Sequence, residues 1–316
     1  MTKILVSAPY MLAVIDRFLP QLESAGLKVE LADVNERLSE GELLALIGDV
    51  DGVICGDDAF TERVMEQAPL LRVISKWGTG IDSIDEAAAD RRGIRVCNTP
   101  NAFTDSVADT AMGYVLVFAR QLVRSDTDIR DGAWRKRPVV ALCECTLGIV
   151  GLGNIGLAVA KRARAFGMTV IGTDIDEQAG QRASEVGVAV RSLEELLKQS
   201  DYVTLHCDLN PTSFHLMGDD NIALMKPSAY LVNTARGPMV EEQSLVSALE
   251  RNAIAGAALD VFEEEPLPLE SRLREFSNCL FAPHNANGSP SAAEKVHIST
   301  ITNLLKGLAE LPPRTR

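Results

Sequence analysis

The chain has no apolar run approaching membrane-spanning length, no cysteine or histidine pairs at metal-site spacing, and no excess of positive charge. The first absence excludes a transmembrane helix. The start, Met1-Thr-Lys-Ile-Leu-Val-Ser, reads directly as a strand and not as the apolar region of a signal peptide, so the expected location is the cytoplasm. The net charge of −13 argues against nucleic acid and anionic membranes as partners, because an acidic surface repels both. The six cysteines are scattered, and Cys55, Cys97, Cys207 and Cys279 sit in or beside apolar strand-like runs, the ordinary setting of small buried thiols. Cys143-Glu-Cys145 is the one close pair, and nothing at zinc-site spacing completes it. Neither disulfides nor a metal is expected. What remains is a chain of 316 residues, 46% hydrophobic, long enough for a substantial core and about two domains.

Its organisation centres on Thr146-Leu-Gly-Ile-Val-Gly-Leu-Gly-Asn-Ile-Gly156. A short apolar strand breaks into a glycine turn and then a helix-forming stretch. Gly151 suits the tight turn, Gly153 leaves room for a pyrophosphate, and Gly156 lets helix and strand approach. The helix start at Asn154-Ile155-Gly156 offers N–H donors to phosphate. A second apolar strand follows and ends in Asp174, at about the 20-residue spacing where a carboxylate meets the adenosine ribose. That carboxylate accepts from a 2′-hydroxyl and repels a 2′-phosphate, and no arginine follows directly in Ile175-Asp176-Glu177. The expected cofactor is NAD.

Before this unit, the runs Ile4–Val6, Leu27–Leu31, Gly52–Cys55, Leu71–Ser75 and Ile94–Cys97 alternate with amphipathic stretches such as Leu12–Leu22 and Leu38–Ile47, a βαβ pattern with a mostly parallel sheet. The loop Lys76-Trp-Gly-Thr-Gly-Ile-Asp82 lies at a strand's carboxyl end, where open α/β sheets bind ligands. A connecting turn with Trp77 on the surface is the plainer alternative. Thr104–Arg130 reads as one nearly uninterrupted helix capped by Ser106 or Thr104. The basic run Trp134-Arg-Lys-Arg137 after it is either a solvated face or a contact for an anionic substrate, reached across a subunit boundary. The second series begins at Thr146 and continues through strands near Val188 and at Asp201–His206, Ala229–Thr234, Ala255–Val261 and Cys279–Ala282, about six strands. A last helix, Ser291–Leu308, packs back on the first domain, making that domain discontinuous.

Three strand ends in the second half carry Arg236, Glu265 and His284. Parallel strands bring them to the same sheet edge as the glycine turn. A guanidinium can fork onto a carboxylate, an imidazole can pass a proton to the adjacent oxygen, and an acid can orient that imidazole, a set suited to a 2-keto or 2-hydroxy acid. Individually they also read as surface ion-pair residues and a loop histidine. His206, His215 and His297 lack such a setting and read as structural or surface residues; His206 is counted also among the cofactor-facing positions.

Gly151-Leu-Gly-Asn-Ile-Gly156, Met225-Lys-Pro, Leu231-Val-Asn-Thr-Ala-Arg-Gly237, Ala257-Ala-Leu-Asp-Val-Phe262, Glu265-Pro266 and Pro283-His284 make the chain resemble the D-isomer-specific 2-hydroxyacid dehydrogenase family along nearly its whole length. The resemblance implies two Rossmann-like α/β domains flanking a cleft, a flavodoxin-like substrate domain (1–98 with 286–316) and a dinucleotide-binding domain (99–285). It implies a homodimer built on the latter, hydride transfer between NAD and C2 of a small D-2-hydroxy or 2-keto acid, and Arg236, Glu265 and His284 as catalytic residues. Thr234, Ala235, Arg236 and Asp260 would meet the nicotinamide, and Lys76, Trp77, Gly78 and Thr79 would line the substrate carboxylate pocket. Within the family the chain most resembles phosphoglycerate dehydrogenases, through Gly78-Thr-Gly-Ile-Asp82, Asn98-Thr-Pro100 and Gly132-Ala-Trp-Arg, without the regulatory domain of some of them. It departs at Lys76-Trp77, at Asn285-Ala-Asn-Gly-Ser289 and at Asp109, where Glu is common. A 3-phosphate would need Lys76, Arg135, Lys136 and Arg137 as partners. On that basis 3-phosphoglycerate and phosphohydroxypyruvate are the favoured pair and a hydroxypyruvate or glyoxylate reductase is the alternative. An unusual small acid as substrate and an NAD-sensing binding protein on the same scaffold are the further readings.

Overall fold

The computed structural model describes residues 2–314; Met1, Thr315 and Arg316, which the expected first domain includes, lie outside the described residues. The chain divides into two compact units, Met1–Ala102 with Ser289–Arg316, and Phe103–Gly288. Each is α/β, built on a parallel sheet.

In the first unit β1 (Thr2–Val6), β2 (Leu27–Leu31), β3 (Gly52–Cys55), β4 (Val73–Lys76) and β5 (Arg95–Cys97) form one sheet in the order β2-β1-β3-β4-β5, the flavodoxin-like arrangement. Every residue of β3 and β4 is buried, as strands covered on both faces require, and this is why their residues are mostly apolar, with Ser75 and Lys76 at the end of β4 the exceptions. Leu12–Leu22 is not one helix. It is split into a helix Pro9–Leu12, a 3-10 turn Ile15–Arg17 and a helix Leu19–Ser24, with Pro20 tolerated in the first turn of the last piece, where its missing N–H costs nothing. The final helix runs Pro290–Glu310 and lies on β3 and β4. A Cβ on Gly52 would come within 2.9 Å of Leu304, and one on Gly307 within 2.7 Å of Val73; Ser75 Oγ donates to the Thr300 carbonyl at 2.8 Å. Its buried Val296, Ile301 and Leu304 each contribute roughly 1.5–3 kcal/mol of apolar burial.

The second unit holds seven strands, one more than expected: β6 (Thr146–Val150), β7 (Thr169–Thr173), β8 (Ala189–Val190), β9 (Tyr202–Leu205), β10 (Tyr230–Asn233), β11 (Gly256–Leu259) and β12 (Cys279–Phe281), ordered β12-β11-β10-β9-β6-β7-β8. This is the doubly wound order, with its switch point between β6 and β9, beside the glycine turn. The long helix is broken. It runs Thr104–Arg120, Gln121 turns left-handed (φ 51°), and a second helix runs Leu122–Arg130. The Gln121 side chain holds the break by donating to the Phe118 carbonyl at 2.9 Å. Neither Thr104 nor Ser106 caps the helix; Phe103 stands at that position without a side-chain bond, and Ser106 Oγ instead donates to the carbonyls of Phe103 and Asn287. No helix among the described residues is long and apolar enough to cross a membrane.

Candidate active site

The glycine turn follows β6, and two of its three glycines have a structural reason. Gly151 has φ 93°, and a Cβ on it would lie 2.4 Å from the Cys207 nitrogen. A Cβ on Gly156 would lie 2.0 Å from the Gly151 oxygen, which fixes how closely the helix Asn154–Ala165 meets the strand. Gly153 is different: its φ is an ordinary −70° and a Cβ there meets nothing within 4 Å. Its missing side chain keeps clear the space above the turn. The first intrahelical bond is from Leu157 N–H to the Gly153 carbonyl at 2.9 Å, so the N–H groups of Ile155 and Gly156 stand ahead of the ladder, at the positive end of the helix dipole. Asp174, after β7, accepts from Leu152 N–H at 2.6 Å and from Asp176 N–H at 2.8 Å, which fixes its carboxylate at the rim of the turn.

The next strand ends continue the same edge. In the register Leu205 pairs with Asn233, so His206 and Thr234 lie just past the carboxyl ends of β9 and β10. His206 Nε2 is bonded to Thr204 Oγ1 at 2.8 Å, while its Nδ1 and the Thr234 Oγ1 are buried without a hydrogen-bond partner. Burial pushes His206 down to about 3, so the ring is neutral at physiological pH. Buried polar atoms are normally paired; two orphans past adjacent strand ends, on the sheet edge that carries the glycine turn, fit a polar ligand such as a dinucleotide.

Beyond them stand Arg236, Glu265 and His284. The side chain of buried Asn233 staples the turn after β10, accepting from Ala235 N–H at 3.0 Å and donating to the Arg236 carbonyl at 2.8 Å. The Arg236 guanidinium donates to the Ala235 carbonyl at 2.8 Å. Buried Asp260 organises the loop that carries His284: its carbonyl accepts His284 N–H at 2.7 Å, and its carboxylate accepts from Asn285 and Ala286 N–H at 3.2 and 2.9 Å. Burial pushes the Asp260 carboxyl up, opposed by those two donors and by His284. From the other side Thr110 Oγ1 donates to the Ala286 carbonyl at 3.2 Å. The clamped loop holds His284 at φ 48°, a conformation that needs such support, and sets its Nδ1 2.9 Å from Glu265 Oε2. Glu265 Oε1 accepts from Phe262 N–H at 2.9 Å. An imidazole fixed at Nδ1 by a carboxylate presents Nε2 for proton transfer.

In the first unit Lys76, Trp77, Gly78 and Thr79 sit at the carboxyl end of β4. The carbonyl of Gly78 (φ 128°) accepts from Thr99 N–H and Oγ1, and that of Thr79 from Asn98 Nδ2. Trp77 is buried, and not on the surface as its connecting-turn alternative had it. It stacks on Tyr10 with centroids 4.6 Å apart and donates through Nε1 to His297 Nδ1 at 3.0 Å. Lys76 is buried with its ammonium 3.0 Å from Asp57 and 3.3 Å from the Trp77 carbonyl. In the basic run Arg137 turns back onto Asp128 with two bonds at 2.6 and 2.9 Å, whereas Arg135 and Lys136 are exposed. His215, read from sequence as structural or surface, lies 2.6 Å from Glu263; a separation of 48 positions along the chain carries no local signal. Among the described residues no group of His, Cys, Asp and Glu is placed to hold a metal.

A doubly wound sheet whose strand ends carry an open glycine turn, a ribose-range carboxylate and an Arg, Glu and His set defines a dinucleotide-dependent oxidoreductase. The model of the NAD-binding domain of D-isomer-specific 2-hydroxyacid dehydrogenases matches residues 112–286. The chain is 40% identical over 283 residues to a glyoxylate reductase of Thermofilum pendens, covering 87% of this chain and 84% of that protein. It is also 40% identical over 320 residues to a D-3-phosphoglycerate dehydrogenase of Methanocaldococcus jannaschii, covering 98% of this chain and 59% of that protein. The crystal structure of a D-lactate dehydrogenase from Aquifex aeolicus with NAD and lactic acid superposes with a TM-score of 0.82 at 25% identity, covering 98% of both chains. The chain belongs to the D-isomer-specific 2-hydroxyacid dehydrogenase family and is an NAD-dependent oxidoreductase of small 2-hydroxy and 2-keto acids.

Proposed function

We propose that the protein reduces a compact 2-keto acid with a single carboxylate, of the glyoxylate or hydroxypyruvate type, to the corresponding D-2-hydroxy acid. When bound, the nicotinamide supplies the hydride exchanged with C2 of the substrate. Arg236 grips the substrate carboxylate and polarises the neighbouring carbonyl. His284 gives its Nε2 proton to the oxygen, and Glu265 fixes the ring and favours its charged form. Thr234, Ala235, Asp260 and His206 line the cofactor's path along the strand ends. Gly151, Gly153, Asn154, Ile155 and Gly156 seat its pyrophosphate, and Asp174 selects NAD by accepting from the 2′-hydroxyl. Trp77, Gly78 and Thr79 remain proposed substrate contacts. The exposed Leu122, Val123, Ile129 and Trp134 support a homodimer built on the second unit.

The substrate reading is carried by one observation: two of the cations that a second anionic group would need are already engaged, Lys76 by Asp57 and Arg137 by Asp128. An extra phosphate lacking its own donors would be costly to desolvate. Exposed Arg135 and Lys136 and the phosphoglycerate dehydrogenase relative favour phosphohydroxypyruvate as the second reading. The test is kcat/KM with NADH across glyoxylate, hydroxypyruvate and phosphohydroxypyruvate. Turnover of the phosphorylated acid alone would overturn the single-carboxylate reading. His284→Ala should lower kcat on the order of 10²–10⁴-fold, and near-wild-type turnover removes His284 from the mechanism.

A further inference from the structure

We propose that His215 is a positioning residue for the proton-transfer pair, clamping through Glu263 the loop that presents Glu265 to His284. This rests on the reading of Glu265 and His284 given above. The loop after β11 has little regular structure of its own, and its first residues are held by a reciprocal bracket: Glu263 N–H donates to Glu242 Oε1 at 2.8 Å, and Glu242 N–H donates to Glu263 Oε2 at 3.2 Å. That uses one oxygen of Glu263. The other, Oε1, lies 2.6 Å from His215 Nε2.

His215 is itself built in. Its backbone is left-handed, φ 50°, a conformation uncommon outside glycine that persists where surroundings enforce it. Its N–H donates to the Pro238 carbonyl at 2.8 Å, and two residues on Met217 N–H donates to the Met239 carbonyl at 2.9 Å. The ring stacks on Phe214 with centroids 4.0 Å apart, and its Nδ1 faces Glu241 Oε1 at 3.9 Å. Pro238 and Met239 belong to the loop that carries Arg236, and this loop touches the Glu265 loop backbone to backbone: a Cβ on Gly237 would fall 1.8 Å from the Phe262 oxygen. The segment around His215 thus braces the loops of both Arg236 and Glu265.

Charge makes the brace necessary. Glu241, Glu242, Glu263, Glu264 and Glu265 crowd this corner, and burial, reinforced by the charges of Glu263, Glu264 and Glu265, pushes the Glu242 carboxyl up. A donor on Glu263 offsets repulsion that would otherwise spread the loop. If that donor is lost, Glu265 is less tightly held against His284 Nδ1, and small displacements at a reacting centre are expensive.

The test uses the full-length protein, NADH and the 2-keto acid it turns over best. His215→Ala should lower kcat roughly tenfold with KM for NADH unchanged. It should also move the alkaline limb of the kcat profile for reduction to lower pH, because the imidazolium loses part of its carboxylate support, as it does in Glu265→Gln. His215→Gln, whose amide nitrogen reaches about as far as Nε2, should restore both, which a merely structural role does not predict. In the Glu265→Gln background, His215→Ala should add nothing further. Glu263→Ala, which removes the acceptor that His215 meets, is the second variant should His215→Ala fail to fold, and should reproduce the pattern. Wild-type kcat in His215→Ala, or effects that multiply with those of an impaired Glu265→Gln, overturn the proposal. An unimpaired Glu265→Gln overturns the role of Glu265 itself, and that single variant tells the two failures apart.

Discussion

Replacing Gly153 and Gly156 by alanine tests the proposed cofactor role of the glycine turn separately from its packing role. A methyl at Gly153 meets no protein atom within 4 Å, and the backbone there is extended. The apo protein should therefore change by no more than about 0.5 kcal/mol. If the turn is the proposed pyrophosphate seat, the same methyl would occupy the space through which the ligand approaches. NADH affinity should fall tenfold to a hundredfold, roughly 1.4–2.7 kcal/mol. At NADH a hundred times the wild-type Kd, the wild type gains about 2.7 kcal/mol from the ligand, and a variant bound a hundredfold more weakly gains only about 0.4. Its NADH-induced rise in Tm should nearly vanish. Gly156→Ala reverses the pattern: the methyl would lie 2.0 Å from the Gly151 oxygen, and Gly151 cannot retreat because the Cys207 nitrogen is 2.4 Å from its own Cβ position. Overpacking of this kind costs about 1–3 kcal/mol, and collision with backbone puts it near the upper end. For a domain of this size class the apo Tm should drop by about 5–10 °C. Thermal melts with and without NADH, together with NADH fluorescence titrations, measure both effects. Wild-type affinity in Gly153→Ala would refute the assignment of the pyrophosphate seat, and a wild-type melting point in Gly156→Ala would refute the packing argument.

Two further outcomes follow from strand-end groups. Asp174→Ala should narrow the ratio of kcat/KM for NADH over NADPH by removing both the hydroxyl's acceptor and the charge that repels a 2′-phosphate; an unchanged ratio, or a wild type that prefers NADPH, contradicts the assignment. His206 is held neutral in the folded state with a pKa of about 3 against about 6.5 in the unfolded chain. Below about pH 6.5 the unfolded chain takes up a proton that the native state refuses, so the stability associated with this group is intact above that pH and is lost as pH falls toward 3, by at most about 1.4 kcal/mol per pH unit. Urea unfolding of wild type and His206→Asn at pH 7, 5.5 and 4.5 measures the difference, and parallel pH dependences would show that His206 protonates in the native state.

The sequence by itself determined the parts of this protein that depend on short-range signals. Strands buried on both faces are predominantly apolar, so β3, β4 and β9 could be read directly even though β4 carries Ser75 and Lys76 and β9 carries Thr204. The positions of the three glycines in the turn and of Asp174 just past β7 could be read because a strand-turn-helix needs its special residues at fixed spacing. Arg236 and His284 could be located because each stands a few residues past the carboxyl end of a strand, Asn233 and Phe281 being the last strand residues. The tertiary structure alone decided the rest. Gln121 breaks a helix whose sequence has no glycine or proline there, because its left-handed backbone is held by a bond to Phe118 and by packing that no local propensity encodes. The ammonium of Lys76 and the guanidinium of Arg137 look available in the sequence and are neutralised by Asp57 and Asp128. Asp260 spends its carboxylate on the His284 loop 25 residues away, and His215 meets Glu263 across 48. Such pairings are set by strand order and loop packing, where energies accumulate between residues distant along the chain, and no periodicity of the chain records them.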